Sequence, residues 1–237
     1  MTPLRKEMIK AMQMRGLSDR TEESYVGSVR DLARFTMRSP DTLTPTEINS
    51  YFEYLVIDRK LAPASCRLYF QGIRFLYVEV LHRPAGELSI ALPKRPQRIP
   101  QLLNRSEVAG ILDACKTPKY RMMLTLCYGC GLRLNELLAV KVSHLDGEQR
   151  HLRVDQGKGA KDRLMPLSDR LLEQLRTYWR AYRPDDWLFP GRVVGRPLSE
   201  TSVQKTYTQC KRDAGVDKTG GIHGLRHAYA THLLEAG

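Results

Sequence analysis

The sequence predicts a mainly α protein in two parts: an amino-terminal four-helix bundle, then an α+β domain with one small β-hairpin. Three observations predict it. Before residue 92, apolar residues recur at helical spacing in four successive segments, with almost no strand pattern. From Leu92 to Gln101 no apolar period survives, and Pro93, Pro96 and Pro100 alternate with Lys94, Arg95 and Arg98. Beyond that stretch helical segments resume, interrupted by two short runs that flank Gly157-Lys158-Gly159. The chain therefore divides into a bundle at residues 1–92, a basic Pro-rich linker at 93–101 and a second domain at 102–237. A length of 237 residues suffices for one large core or two modest ones.

Each element has a local cause. Leu4, Met8, Ile9 and Met12 form a first short apolar stripe that Gly16 ends. Ser18 caps a second helix through Tyr25, Val26, Val29, Leu32 and Ala33, and Ser39-Pro40-Asp41 breaks the chain. Thr44, Pro45 and Glu47 write a capping box with Pro at the first helical position, ahead of Ile48, Tyr51, Phe52 and Leu55. A fourth helix starts near Pro63 and carries Tyr69, Ile73, Leu76, Tyr77 and Val80. In the second domain Asn104 and Glu107 are spaced as another capping box, and Thr117-Pro118 starts the next helix. Gly129 and Gly131 end that helix, Arg133 follows in a loop, and Asn135 to Val140 is helical. His151 to Val154 and Arg163 to Leu167 are the hairpin strands. Ser168 caps a helix with Leu171, Leu172, Leu175, Tyr178 and Trp179 inward, and Ser199 starts one through Val203, Tyr207 and Cys210. Thr219 to Ile222 leads into a final helix at His223.

Composition narrows the partners. Lys and Arg outnumber Asp and Glu by 38 to 26, and a net charge of +12 suits a polyanion, most simply nucleic acid. Arg30, Arg34, Lys60, Arg67 and other basic residues decorate the bundle, as a solvated face or as phosphate contacts. No stretch approaches the roughly 20 apolar residues of a membrane helix, and the amino terminus has no apolar signal-peptide core. Five cysteines, an odd count, argue against a disulfide framework. Cys127 and Cys130 form a lone C-x-x-C without a second ligand pair, so they are read as packed thiols in a reducing, cytoplasmic protein. No metal site and no cofactor is expected.

The residues that carry chemistry are strung out in order. His223 and Arg226, three apart at a helix start, project from one face and can grip an anion. Arg133 stands in Gly131-Leu132-Arg133-Leu134-Asn135-Glu136, and Lys158 on the glycine-flanked turn with Lys161 as its rival. Singly, each has an ordinary reading: a surface Arg, a solvated turn Lys, a His that caps its helix. Jointly, Arg133, then Lys158 on a hairpin, then His223-Gly224-Leu225-Arg226-His227 resembles the tyrosine recombinase (phage integrase) family, and Ala228 to Leu234 continues the likeness.

That resemblance covers almost the whole chain and carries implications. The bundle corresponds to the family's core-binding, SAM-like domain, and the second part to its catalytic domain. Arg133, Lys158, His223 and Arg226 take the catalytic positions, while Glu136 and His227 would support them from behind. Such enzymes cleave double-stranded DNA at recombination sites through a tyrosine, form a 3′-phosphotyrosyl bond, and exchange strands through a Holliday junction in a homotetramer, without metal or ATP. In the family a further His or Trp and the nucleophilic Tyr lie beyond the position of Gly237, so this chain is expected to bind DNA and not to cleave it. Two other readings stay open: a DNA-binding remnant that regulates without catalysis, and a type IB topoisomerase-like nicking enzyme.

Overall fold

A computed structural model describes residues 1–88, 90–94, 101–155, 162–193 and 195–235. The chain forms two compact units, Met1–Arg98 and Ile99–Gly237. It is mainly helical with one small antiparallel sheet, as the sequence predicts.

In the first unit α1 spans Pro3–Met14, α2 Asp19–Thr36, α3 Pro45–Ile57 and α4 Pro63–Arg74. Ser18 accepts from Thr21 N, and Thr44 and Glu47 close the full capping box. Each such cap stabilises its helix by about 1 kcal/mol. The core is the predicted stripes brought together: Met8, Met12, Leu32, Ile48, Leu55 and Ile73 are almost wholly buried. Helices α2 and α4 approach so closely at Gly72 that a Cβ there would stand 2.9 Å from Tyr25 Cα.

One feature of this unit has no local signal. After Arg74 the helix widens into a π-helical run, Phe75–Val80, that buries the neighbours Leu76 and Tyr77 together. The Tyr77 hydroxyl then donates to Pro40 O in the break between α2 and α3. Arg83 lies over the Tyr77 ring, 5.1 Å to its centroid, and donates to Leu43 O at 2.8 Å. Tyr77→Phe is expected to cost about 1 kcal/mol of stability in thermal melts, because it removes a buried hydrogen bond and leaves Pro40 O with the longer bond from Leu43 N at 3.3 Å.

The second unit is built around α6, Pro118–Gly129, whose Met122, Met123, Leu124, Leu126 and Cys127 are all buried. A helix apolar on most of its circumference must be surrounded. Around it pack α5 (Arg105–Ala114), α7 (Leu134–Leu138), α8 (Asp169–Tyr182), α9 (Glu200–Asp213) and α10 (His223–Leu234). Asn104 and Glu107 close the predicted capping box of α5. Cys127 and Cys130 are core residues, and burial pushes both thiols up to about 12.

Three sequence expectations are corrected here. The helix after Arg133 starts at Leu134 and ends at Leu138, with Arg133 as its N-cap, because the Glu136 carboxylate accepts from Arg133 N. The hairpin strands β2 (His151–Val154) and β3 (Arg163–Pro166) are joined by a third, β1 (Leu145–Asp146), too short to show an alternation. Trp179 is exposed, not inward, and Arg183 covers its ring at 4.1 Å; Tyr182 is likewise exposed, stacked on Tyr178.

The turn end of β2 is pinned by a buried histidine. His144 Nδ1 accepts from Lys141 N at 3.3 Å, and Nε2 faces Asp155 at 3.2 Å. Burial holds the ring below its ordinary pKa and outweighs the Asp155 carboxylate, so a neutral ring donates from Nε2 to that carboxylate. The Gly157 to Lys161 turn that follows Asp155, and Arg95, Pro96, Arg98 and Pro100 of the linker, lie outside the described residues.

Candidate active site

The site grows from the end of α6. Gly131 takes φ +54°, a left-handed conformation that lets the chain reverse, with Leu132 N donating to Cys127 O at 3.0 Å. The reversal delivers Arg133 to the amino end of α7. A Cβ on Gly131 would stand 2.4 Å from the Tyr229 ring of α10, so two helices meet over a residue that must lack a side chain. The Gly131 carbonyl in turn accepts from Arg226. Gly131→Ala is therefore expected to lower the melting temperature clearly, since strain and collision add; about 2 kcal/mol or more is a reasonable scale.

At the centre lies Glu136, buried with its side chain 6% exposed. Its carboxylate accepts from Arg133 N at 2.8 Å and from Arg133 Nη1 at 2.6 Å. Arg163, the first residue of β3, grips the same group with both terminal nitrogens, at 3.0 and 2.6 Å. Arg226 Nη1 stands 3.9 Å from it. Burial alone would raise the Glu136 carboxyl, but hydrogen bonds from Arg163 and from the backbone and side chain of Arg133 overcome it and hold the group at about 2. The carboxylate is thus ionised throughout the ordinary pH range. Burial and the charge of Arg133 lower Arg226, without approaching a pH at which a guanidinium loses its proton.

Three guanidinium cations around one carboxylate leave a local charge of +2. Arg133 and Arg226 remain 36% and 34% exposed, so both keep nitrogens free to face a ligand. Such an arrangement can hold an anion between planar guanidinium forks, a geometry suited to phosphate oxygens.

The other predicted residues fall around it. His223 is the first residue of α10 and exposed; it is not the cap, since Ile222 holds that position without a side-chain bond. His227, one turn on, is also exposed, rather than packed beneath the site. Lys158 and Lys161 lie outside the described residues. Segment 218–222, which delivers His223, is stitched to the start of the unit: Thr219 N donates to Gln101 Oε1 at 2.7 Å and Lys218 Nζ to Glu107 at 2.6 Å. At the far end of α10 the Tyr128 hydroxyl pairs with His232 Nδ1 at 2.8 Å.

Sequence reasoning missed Arg163. The run Arg163-Leu164-Met165-Pro166 invites placing Leu164 inward, yet Leu164 is 59% exposed and Arg163 turns in. Register explains it: Arg163 pairs with Val154 and Met165 with Leu152, and both partners are buried. The signal available was the alternation of β2, with Leu152 and Val154 fixing the inner face.

A helical bundle is thus followed by a helical domain with a small sheet that carries a guanidinium cluster on its α6–α7 reversal. The chain matches the Phage integrase family over residues 101–237 and the Phage integrase N-terminal SAM-like domain over residues 4–87. It belongs to the phage integrase family, the tyrosine recombinases. Among its relatives, a putative integrase/recombinase of Sinorhizobium fredii is 41% identical across all of this chain and 77% of its own length. A tyrosine recombinase of Pseudothermotoga lettingae is 31% identical, covering 95% of this chain and 82% of its own. Of solved structures, a lambda integrase bound to DNA aligns with TM-score 0.77 at 20% identity over 99% of this chain and 88% of that one. A lambda integrase tetramer bound to a Holliday junction also aligns with TM-score 0.77, at 20% identity over 96% of this chain and 71% of that one.

Proposed function

We propose that this chain binds duplex DNA at recombination sites and supplies the phosphate-holding groups of strand cleavage and rejoining. The observation that carries the reading is the convergence of Arg133 and Arg226 on one buried carboxylate, which fixes two forks beside each other. In this reading Arg133 and Arg226 each hold an equatorial oxygen of the scissile phosphate. The transition state is five-coordinate and carries more negative charge than the diester, so a fixed +2 site favours it over the ground state. His223, exposed at the start of α10, donates a third hydrogen bond or relays a proton. Lys158 protonates the departing 5′-oxygen as the tyrosine Oη–P bond forms and the P–O5′ bond breaks. Rejoining reverses these steps, with the 5′-hydroxyl attacking the phosphotyrosine.

Residues 1–92 serve as the core-binding domain, 93–101 as a basic linker and 102–237 as the catalytic part. Exposed arginines of the bundle such as Arg30, Arg34 and Arg67 contact phosphates. Arg15, paired with Glu79, and Arg38, donating to Glu47 at 2.5 Å and Thr42 O at 3.0 Å, instead tie the bundle together. Assembly into a homotetramer on DNA follows the lambda integrase example. A regulatory, DNA-binding role without catalysis is the second reading. The placement of three tyrosines favours it: Tyr207 is buried, Tyr178 donates to Leu188 O, and the Tyr229 ring lies against Gly131.

Two measurements test this. Duplex affinity should fall steeply as salt rises, as release of several counterions requires; a salt-independent affinity would reject DNA phosphate binding. On a nicked suicide duplex, the 1–237 polypeptide should form no covalent adduct on a denaturing gel. An adduct from 1–237 that disappears with Tyr229→Phe would make Tyr229 the nucleophile instead.

A further inference from the structure

The structure assigns Arg163 as a positioning residue: its two-pronged hold on Glu136 keeps that carboxylate from drawing Arg133 and Arg226 away from the phosphate. The inference rests on the anion site proposed above and deepens it. Glu136 has two oxygens and three guanidinium neighbours. Arg163 occupies both oxygens, at 3.0 and 2.6 Å, and the geometry is the parallel fork that only guanidinium offers. Arg133 then needs to spend one terminal nitrogen, at 2.6 Å, and Arg226 stays at 3.9 Å with its Nη1 donated to Gly131 O.

Without Arg163 the carboxylate, still buried, would lose two of its four close donors. A buried carboxylate does not remain unpaired when cations stand within reach. Arg226 has about 1 Å to travel to make a full hydrogen bond with it, and Arg133 has a second nitrogen to turn inward. Both movements take forks from the ligand side, and the loss of Arg163 itself lowers the local charge by one. Arg163 also stands at the start of β3, so the same bond anchors the returning strand of the hairpin to the amino end of α7.

The test uses orthovanadate, which adopts five-coordinate geometry, as the probe. Its binding to the 1–237 chain is followed by vanadium NMR, and duplex DNA affinity and thermal melting are measured in parallel. Arg163→Ala should weaken vanadate binding about tenfold or more, the scale of lost charge-assisted bonds, while duplex affinity stays within about threefold because many other phosphate contacts persist. Arg163→Lys should be weakened nearly as much, since it keeps the charge and loses the fork. The double variant Arg163→Ala with Glu136→Gln should recover most of the loss, because the competing carboxylate is gone. Wild-type affinity in Arg163→Lys would overturn the positioning role in favour of charge alone. No recovery in the double variant, with its melt still cooperative, would overturn it in favour of direct contact between Arg163 and the anion. Failure of the wild-type chain to bind vanadate while it still binds duplex DNA would overturn the anion site itself, and the inference with it.

Discussion

Glu136→Ala should destabilise the second unit by about 3–5 kcal/mol, the usual cost of removing one partner from a buried, hydrogen-bonded ion cluster. Three guanidinium groups would be left facing one another with no counter-charge, and Arg133 N would lose its acceptor at 2.8 Å. The partial exposure of the arginines lets them turn toward water, so the lower end of that range is the better guide. The pH dependence is a sharper check. Glu136 is held at about 2 against an ordinary 4.5. A depressed carboxyl stabilises the fold fully above its unfolded value, and that contribution is lost as pH falls from about 4.5 through about 2. The shift corresponds to ~3 kcal/mol. Chemical denaturation of the wild type and of Glu136→Gln from about pH 7 to about pH 2 should therefore show a stability gap that narrows over that window. A gap unchanged at the acid end would mean that the carboxylate is not held by the arginines.

Arg226→Ala should lower the rate of strand cleavage by about 10²–10³-fold, the scale of removing one donor from a preorganised charge-stabilising site. Arg226→Lys should recover only part of this, because an ammonium cannot both donate to Gly131 O and fork onto a phosphate. The measurement is single-turnover formation of the covalent adduct on a nicked duplex, in a polypeptide that forms it. Duplex affinity should change far less than the rate, which separates a transition-state contact from general attraction to DNA. Equal losses in affinity and rate would place Arg226 among ordinary phosphate contacts.

Much of the fold was legible because its causes are local. The Thr44–Glu47 and Asn104–Glu107 capping boxes, the apolar stripes of α2 and α8, and the stop at Gly16 are written within a few residues of where they act. The order Arg133, Lys158, His223, Arg226 pointed to the family in the same way, since a family motif is a pattern of residue types along the chain. What needed tertiary structure was every decision made by a distant partner. The π-helical run at Phe75–Val80 accompanies a hydrogen bond from Tyr77 to Pro40, thirty-seven residues away. Gly131 must be glycine partly because Tyr229, on another helix, fills the space beside it. Arg163 turns inward although an adjacent leucine is the better apolar candidate, because Glu136, twenty-seven residues earlier, waits there as a buried charge. Burying an ion without its partner costs more than exposing a leucine gives up, and that comparison is settled only when both groups stand in the same place.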